Sequence, residues 1–499
     1  MSRHILVCQP QGVPSTTGIR SEQHIQSDVK TVLLISAYFP PGTSSGTMRT
    51  IKFSEYLPRF GWTPQVLTMN PDAYPPVRID PAWVRVQNSQ LKVHRTPVWM
   101  TDRVLARCYK RLRNLGRSSP REDCSRSFNQ GPGPEQVNRA WPIRVVLDWL
   151  HFPDDYGGWL IPGILEGRRI IRRERIDVIY STSPSTVSHL IAMGLKRSAG
   201  LPWIADFRDP WEALFPECIY LDENRLKRAA EIKVGERVIA SADLVITNTD
   251  RACAAYQSRF PQLPAAKFVT LPNGFDPQDF EGISGTYSEG QKLTVMYAGT
   301  LFPGLRSPTE ILEVVADLMH EGCLDPQRFV LKIVGSGSVN YPETSGIEVV
   351  PRVSHSTSLQ MMAKSDILLL LQQSEKYRLQ IPAKIYEYMA ARKWILAIAP
   401  DGATADLVRR MPNGLVVPPG QKAQLKNAIS NLYRMFLEKR LYPIPHDEAL
   451  IRSFTRQEQT KLLAAWLDRA SAKGDIQRFH ATPKRGLAQA NSLMIEGAN

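Results

Sequence analysis

The segment DVIYSTSPSTVSHLIAMGLKRSAGLPWIADF, residues 177–207, decides the fold class of this chain. Its two ends, DVIYST and PWIADF, are short β-rich apolar runs, and the stretch between them at about 185–199 has the pattern of a helix. A strand, a helix and a second strand in this order favour a parallel sheet with helices covering both faces.

The same alternation continues on both sides of this unit. Upstream, TVLLISA (31–37) and PQVLTM (64–69) are predicted strands, and downstream a helix at about 222–240 precedes the strand DLVITN (243–248). After the polar, glycine-containing segment 276–292 the rhythm restarts with five more predicted strands, LTVMYAG, FVLKIVG, IEVVPRV, DILLLLQ and WILAIAP. These two halves predict an α/β fold of two doubly wound domains that face each other across a cleft.

Composition shifts along the chain suggest the domain boundaries. We expect the N-terminal domain at 31–275 and the C-terminal domain at 291–450. Residues 111–140 are rich in Ser, Gly, Pro and Arg, which predicts a mobile insertion in the first domain. Disordered tails are predicted at 1–30 and 474–499. A C-terminal helix that packs back on the first domain is predicted at 451–473.

The composition also argues against several classes of protein. The chain has 499 residues, no apolar run of transmembrane length and no apolar signal core at its N-terminus, so we expect a cytoplasmic protein. Its six cysteines are scattered without metal-ligand spacing, which predicts neither a disulfide framework nor a zinc site. The net charge is +14, but basic residues do not interleave with aromatic ones, so we expect no nucleic-acid partner.

The stretch IADFRDPW, residues 204–211, places two acids and an arginine directly after a predicted strand. In open parallel sheets, ligands bind beyond the carboxyl ends of the strands, so Arg208 and Asp209 should lie at the cleft between the domains. A purely structural interpretation is about as good, in which Asp206 or Asp209 caps a helix and Arg208 forms an exposed ion pair.

Three glycine-containing loops at predicted strand ends have the composition of an anion site. They are PPGTSSGTMR around Gly46, YAGTLFPGLRSP with Gly299 and Arg306, and IVGSGS with Gly335. Glycine lets a ligand approach backbone N–H groups and helix ends, and an arginine can bind a diphosphate through two hydrogen bonds. Each loop alone is weak evidence, because glycine turns after strands are common.

Lys384 and Glu387 form a more specific pair in the segment IPAKIYEYMAARKWILAIAP. They are three residues apart and share one face of the helix that opens after Pro382. Lysine could hold a phosphate there, and a carboxylate could accept two sugar hydroxyls. The alternative is an ordinary surface ion pair that contributes under about 1 kcal/mol.

Taken together, these blocks resemble a GT-B glycosyltransferase of the family 4 type, a group in which bacterial enzymes build polysaccharides and glycolipids. The resemblance covers about residues 31–420 in order, through VLLISAYFPPGTSSGTMR, GWTPQVLT, DVIYSTSP, GLPWIADFRDPW, ADLVITNT, LPNGFDP, YAGTL with RSP, LKIVGSG and IPAKIYEYMAARKWILAI.

The resemblance implies roles for the residues of these blocks. Gly46 would lie near the diphosphate or the transferring sugar of a nucleotide-sugar donor, and Gly299 belongs to the predicted donor site. Arg306 and Lys384 would hold the diphosphate and Glu387 the ribose hydroxyls. The backbone near two further residues would border the base, namely Gly335 and Ile381.

Two positions depart from the pattern of the family. Many members have a glutamate eight residues before the ribose-binding one, where this chain has Leu379, so the donor sugar must be contacted by another residue. Many members also have a histidine where this chain has Arg208, and an arginine cannot accept a proton. We therefore expect Asp209 to engage the acceptor hydroxyl and Arg208 to act through its charge, with Asp206 organising Arg208.

The implied activity is the retaining transfer of a sugar, hexosyltransferase-like and without a metal or other cofactor, to a saccharide or lipid-linked hydroxyl. Such a reaction would serve cell-surface polysaccharide (exopolysaccharide) or glycolipid synthesis. The alternatives are a nucleotide-sugar epimerase on the same fold and a non-catalytic scaffold that keeps the fold.

The stretch RVLARCYKRLRNLGR, residues 103–117, has six basic residues and no acid. Its apolar residues recur at helical spacing on one face, which is typical of a helix in a lipid interface, and WPIRVVLDWLHF (141–152) offers aromatic anchors nearby. The sequence thus predicts peripheral attachment to the inner face of an anionic membrane. A helix packed on its own domain with a solvated basic face has nearly the same pattern.

Overall fold

A computed structural model of the chain describes residues 29–42, 46–74, 91–99, 152–215, 225–283, 292–302, 305–335 and 345–472. Within these residues the first half of the chain forms a seven-stranded parallel sheet in the order β3-β2-β1-β4-β5-β6-β7. Its strands are β1 Lys30–Ser36, β2 Trp62–Met69, β3 Lys92–Thr96, β4 Val178–Thr182, β5 Trp203–Phe207, β6 Leu244–Thr247 and β7 Phe268–Thr270.

The second half forms a six-stranded parallel sheet in the order β10-β9-β8-β11-β12-β13. Its strands are β8 Leu293–Ala298, β9 Phe329–Val334, β10 Ile347–Val350, β11 Ile367–Leu371, β12 Trp394–Ile398 and β13 Gly414–Val417. In both sheets the strand order reverses next to the first strand, which opens a crevice at the carboxyl ends there. The predicted α/β fold of two doubly wound halves is confirmed.

Helices connect the strands and cover the sheets. The described α-helices are α1 Thr47–Tyr56, α2 Leu160–Arg173, α3 Val187–Ala199, α4 Arg225–Ser241, α5 Asp250–Arg259, α6 Thr309–His320, α7 His355–Ala363, α8 Lys384–Ala390, α9 Ala403–Arg409, α10 Lys422–Leu437, α11 Glu448–Ser453 and α12 Arg456–Ser471. Short 3₁₀ turns lie at Leu57–Phe60, Pro71–Ala73, Gly157–Trp159, Glu212–Leu214, Ala265–Lys267, Pro277–Phe280 and Glu375–Tyr377.

The last helix, α12, crosses from the second half back to the first. Leu463 and Leu467 of α12 are fully buried in the same apolar cluster as Val32 and Leu34 of β1. At its start, the side-chain amide of Gln459 donates to the carbonyl of Asn273 at 2.7 Å. The chain therefore joins its halves twice, once after β7 and once through α12.

Three of the described strands were not predicted, namely β3, β7 and β13. Each lies at the edge of a sheet, is three to five residues long and has partly exposed side chains, so its apolar pattern is weak. The insertion predicted at 111–140, the basic stretch 103–117, the tail predicted at 474–499 and residues 1–28 of the tail predicted at 1–30 lie outside the described residues. The boundary at 30 is wrong by one residue, because Lys30 already belongs to β1. No helix in the described part of the chain combines the length and apolar character needed to cross a bilayer.

Candidate active site

A cavity of about 800 Å³ lies between the two halves, where the carboxyl ends of β4 and β5 face those of β8 and β11. The first half contributes Ser183, His189, Arg208 and Asp209 to its wall, and the second half contributes Arg306 and Lys384. The fold thus brings five of the predicted site residues, with Ile381 as the fifth, from segments up to 176 positions apart to one cavity.

Arg208 and Asp209 form an ion pair on the wall of the first half. Nη1 of Arg208 lies 2.7 Å from Oδ2 of Asp209, and the arginine side chain is 8% exposed while the carboxylate is 32% exposed. The backbone N–H of Asp209 donates to the hydroxyl of Ser183 at 3.1 Å. This geometry fixes the direction of the carboxylate, and Oδ1 has no hydrogen-bond partner among the described residues.

The prediction that Asp206 organises Arg208 is wrong. Asp206 is fully buried and receives two hydrogen bonds from Arg49, from Nε at 2.7 Å and from Nη2 at 2.9 Å. The hydroxyls of Tyr180 and Thr182 also donate to it. The reason is that Arg49 of α1 binds both oxygens of the Asp206 carboxylate, while Arg208 pairs with Asp209.

Arg306 lies at the cavity in the loop that follows β8. The loop is held by Gln373, whose side chain accepts from the N–H of Ser307 at 2.7 Å and donates to its carbonyl at 2.9 Å. The guanidinium lies 5.9 Å from the ring centre of Phe302. Among the described residues no carboxylate lies within ion-pairing distance of Arg306, so its charge can be used by an anion in the cavity.

Lys384, Glu387 and His355 form a second charged group in the second half. Nζ of Lys384 lies 2.7 Å from Oε2 of Glu387, and Nε2 of His355 lies 3.2 Å from Oε1. Lys384 begins α8 and Glu387 lies one turn later, while His355 begins α7 after the side-chain cap provided by Ser354. Each oxygen of the Glu387 carboxylate therefore has its own cation or N–H donor.

The neighbours of Glu387 keep it ionised. Its burial alone would raise the pKa of the carboxyl, but the hydrogen bond from His355 and the charge of Lys384 outweigh this and lower the pKa below its ordinary value. The same hydrogen bond to Glu387 raises the pKa of His355, against the opposing effect of burial. The pair therefore presents a carboxylate, and not a carboxylic acid, near neutral pH.

The predicted glycines and Ile381 are placed as follows. Ile381 lines the cavity beside Lys384, whereas the three predicted glycines lie outside its described lining. Gly46 precedes α1 and is buried. Gly335 has φ of +89°, and a Cβ there would lie 3.2 Å from the carbonyl oxygen of Gly299. Gly335 therefore lets the ends of β8 and β9 approach each other closely, whatever else these loops bind.

Leu379, which stands where many family members have a glutamate, has a structural role. Its side chain is 5% exposed and packs in the apolar core of the first half, although it belongs to the second. Its carbonyl accepts a 2.7 Å hydrogen bond from the hydroxyl of Thr249. The residue therefore joins the two halves next to the cavity-lining residue Gln380.

Sequence reasoning missed His189, His355 and Arg228. All three are polar residues in the segments that follow strands or begin helices near the cleft, and His189 and Arg228 line the cavity. The rule that ligands bind at carboxyl ends of strands could have singled out His355, five residues after β10. No local signal distinguishes His189 from an ordinary helix residue.

The roles predicted for Arg208, Asp209, Arg306, Lys384 and Glu387 stay predictions, but their placement is compatible with one ligand that spans the cleft. The described cavity lining from the second half has Arg306 and Lys384 and no acid, whereas the fixed carboxylate of Asp209 lies on the wall of the first half. No group of His, Cys, Asp and Glu in the described ranges could hold a metal ion.

The fold and the cleft define the GT-B architecture of glycosyltransferases, and solved structures agree. A glycosyltransferase from Rickettsia africae superposes with a TM-score of 0.54 at 11% identity, covering 90% of this chain and 100% of its own. HepE from Anabaena, in complex with UDP and glucose, gives 0.53 at 14% identity, covering 88% and 100%. A trehalose-phosphate synthase from Burkholderia xenovorans, in complex with glucose-6-phosphate, gives 0.54 at 10% identity, covering 88% and 100%.

Sequence models of families identify the chain more closely. Residues 126–279 match the model described as Glycosyltransferase Family 4, and residues 292–435 match the one described as Glycosyl transferases group 1. The two segments together span more than half of the chain and fall one in each half. A sequence search of curated proteins finds no match. The chain belongs to the GT-B glycosyltransferases of the family 4 type.

Proposed function

We propose that this glycosyltransferase moves a hexose from a nucleotide-diphosphate sugar to a hydroxyl acceptor with retention of anomeric configuration and without a metal ion. The observation that carries this proposal is the cavity itself, in which Arg306 and Lys384 of one half face the Arg208–Asp209 pair of the other. Donor and acceptor would bind to opposite walls and react between them.

On the donor side, Arg306 and Lys384 bind the diphosphate. As the bond to the sugar breaks, negative charge grows on the leaving phosphate, and fixed cations that face this charge lower the barrier. These two side chains supply the positive charge that a metal ion would otherwise bring. Glu387 binds the ribose hydroxyls, for which its ionised state suits it because a carboxylate accepts two O–H donors.

On the acceptor side, Asp209 binds the attacking hydroxyl and Arg208 fixes the direction of the carboxylate. Retention requires attack from the face that the diphosphate leaves, as the resemblance to the family implies. The departing phosphate oxygen then receives the proton of the acceptor, and Asp209 orients that hydroxyl.

The acceptor that we propose is a saccharide, free or lipid-linked, of cell-surface polysaccharide or glycolipid synthesis. A surface of the first half supports contact with a membrane. Trp99, Ile161 and Leu165 are 49%, 56% and 55% exposed, and Trp99 and Leu165 line one groove. The same groove is lined by three arginines of the last turns of α2, Arg169, Arg172 and Arg173.

We call the residues Trp99, Ile161, Leu165, Arg169, Arg172 and Arg173 the α2 surface. Exposed apolar side chains beside several arginines are the composition of a segment that lies on anionic lipid, where aromatic and aliphatic groups enter the interface and cations meet headgroups. This surface belongs to the described part of the chain, whereas the stretch at 103–117 predicted from sequence does not.

The test of the proposed activity is a panel of nucleotide sugars incubated with the full chain, with and without cell lipid extract. UDP-glucose is the first donor to try, since HepE binds UDP and glucose in its solved structure. Release of nucleoside diphosphate that depends on an acceptor, with a product of retained configuration by NMR, is the expected result. Isomerisation of the donor without an acceptor, or binding without turnover, would overturn the proposal.

A further inference from the structure

Gln372 is an amide of the cavity wall to which the proposed mechanism gives no role. It directly follows β11, is 5% exposed and belongs to the lining of the cavity. The mechanism binds the diphosphate and the ribose of the donor, but it leaves the transferring hexose without a contact from the second half. A neutral amide is suited to such a contact, because sugar hydroxyls pair with uncharged donors and acceptors.

Two hydrogen bonds fix the orientation of the Gln372 amide. Nε2 donates to the carbonyl of Tyr377 at 3.1 Å and to the carbonyl of Gln380 at 3.2 Å. A carbonyl oxygen can only accept, so the amide atom that faces both carbonyls must be the nitrogen. Both hydrogens of Nε2 are thereby used, and Oε1 lies on the other side of the amide group.

Oε1 of Gln372 is free to accept a hydrogen bond from a ligand. No described residue donates to it, and it is not among the unpaired polar atoms of the described residues that solvent cannot reach, so it keeps accessible surface. The residue is otherwise buried and lines the cavity, so this surface opens on the cavity. An acceptor in such a place needs a donor from water or from a ligand.

Gln372 connects the two loops that carry the proposed diphosphate cations. The N–H of the residue after Gln372 donates at 3.1 Å to the carbonyl of Leu305, which directly precedes Arg306. On its other side, Nε2 binds the carbonyl of Gln380 in the segment that leads into Lys384. A sugar attached to a diphosphate between Arg306 and Lys384 is therefore close to Oε1.

We propose that Gln372 is a specificity residue of the donor site, whose Oε1 accepts a hydrogen bond from one hydroxyl of the transferring hexose. This inference rests on the proposed function and adds to it a contact with the sugar itself. Phosphate oxygens of an ionised diphosphate only accept hydrogen bonds, so they are not partners for Oε1. A sugar hydroxyl donates, and the fixed direction of Oε1 selects which hydroxyl does so.

The experiment combines substitutions in the protein with substitutions in the ligand. Isothermal titration measures binding to the full chain of UDP-glucose, UDP-galactose and GDP-mannose, and of their analogues in which a single hexose hydroxyl is replaced by fluorine, which cannot donate. One analogue should bind the wild type about two- to tenfold more weakly than its parent, as expected for one neutral hydrogen bond. Gln372→Met, which keeps the side-chain length but removes the amide, should bind that analogue and its parent equally.

Gln373→Met is the matched control. The Gln373 side chain holds the Arg306 loop through Ser307 and lies outside the described lining of the cavity. This variant should weaken binding of the parent and of the analogue by the same factor, so that the preference for the hydroxyl persists. Gln372→Asn, which keeps an amide but withdraws its oxygen, is a second variant at the site and should lose the preference. Melting temperatures show whether each variant is folded.

Three outcomes would overturn the inference: equal binding of every fluorinated analogue and its parent by the wild type, a hydroxyl preference that persists in folded Gln372→Met or Gln372→Asn, or the same loss of preference in Gln373→Met. Binding of none of the parent nucleotide sugars by the wild type would overturn it as well. Failure of the proposed function is seen separately, as nucleotide sugars that bind without acceptor-dependent turnover.

Discussion

Glu387 has the clearest environment of the predicted donor-binding residues, because Lys384 and His355 each bind one of its carboxylate oxygens. Substituting Glu387→Ala should weaken binding of the nucleotide sugar about ten- to a hundredfold. The physical reason is that a hydrogen bond to a charged group contributes about 1.5 to 3 kcal/mol. Isothermal titration with each nucleotide sugar that binds the wild type measures the change.

Two readouts accompany this prediction. Glu313→Ala removes the acid of an exposed ion pair with Lys422 in the same half and should leave donor affinity unchanged. In Glu387→Ala the pKa of His355 should fall towards its ordinary value, because the hydrogen bond to Glu387 holds it raised. An unaltered donor affinity in a folded variant would contradict the assignment of Glu387 to the ribose.

Arg306 and Lys384 should affect turnover more than binding. If both stabilise the charge of the leaving diphosphate, Arg306→Ala and Lys384→Ala lower kcat by a larger factor than they weaken donor affinity, because that charge is greatest in the transition state. Steady-state kinetics and titration with nucleoside and nucleoside diphosphate separate the two effects. Equal losses of affinity for nucleoside and nucleoside diphosphate would show that neither side chain touches phosphate.

Asp209 is predicted to act on the acceptor alone. Asp209→Asn keeps the shape of the side chain but removes the charge that its ion pair with Arg208 directs. Transfer should be nearly abolished, while nucleotide-sugar affinity stays within about twofold of the wild type, a change of roughly 0.4 kcal/mol. Near-normal turnover of the variant would contradict the proposed role of Asp209 and favour a purely structural role for the stretch IADFRDPW.

At the scale of secondary-structure elements, Arg49 and Asp206 connect α1, β5 and the end of β7. Both side chains are fully buried, and Arg49 also donates to the carbonyls of Leu271 and Pro272. Three elements that carry loops of the cleft are thereby fixed to one another. Removing one member of a buried ion pair leaves the other charge without compensation.

Asp206→Asn should therefore destabilise the first half by about 3 to 5 kcal/mol. Urea unfolding followed by fluorescence measures the change in the free energy of unfolding. The matched control is Asp468→Asn, which removes the acid of the exposed Lys30–Asp468 pair and should cost under about 1 kcal/mol. Similar effects of the two substitutions would mean that the buried pair contributes no more than a surface one.

At the scale of the whole molecule, the two halves are held together by contacts outside the described lining of the cavity. Arg251 of α5 forms a two-hydrogen-bond ion pair with Asp406 of α9, with N–O distances of 2.5 and 2.8 Å. Leu379 enters the core of the first half, and α12 crosses back to it. These contacts hold the two walls of the cavity opposite each other, so the proposed catalytic geometry depends on both halves.

The proposed attachment of the α2 surface to a membrane gives a further prediction. The full chain should cosediment with phosphatidylcholine vesicles increasingly as phosphatidylglycerol is added, and less at high salt. Each interfacial cation contributes about 1 kcal/mol of attraction to anionic lipid. Changing Arg169, Arg172 and Arg173 to glutamate should therefore reduce the bound fraction strongly.

Two further variants complete the membrane experiment. Changing Lys110, Arg111 and Arg113 to glutamate tests the stretch predicted from sequence. Changing Arg434, Lys439 and Arg440, which are exposed on the second half, makes the same change in net charge away from the α2 surface. Identical partition of the α2 variant and the wild type would show that this surface does not bind lipid.

Much of the fold follows from local sequence. Buried parallel strands such as β4, β5 and β11 are short apolar runs between helices, so these strands can be recognised without the structure. The edge strands β3, β7 and β13 could not be recognised in this way, because their partly exposed side chains give no clear apolar pattern. Gly, Pro and polar residues after the strands also indicated which loops meet at the cleft, including those of Arg208, Arg306 and Lys384.

What the sequence by itself determined is therefore the class of fold, the family and the loops that carry the candidate site. Only the tertiary structure decided which side chains are partners. Asp206 binds Arg49, which is 157 residues away, and not its near neighbour Arg208, and His355 binds Glu387 across two helices. The physical reason is that hydrogen bonding and burial depend on distances in space, which residue spacing along the chain does not specify.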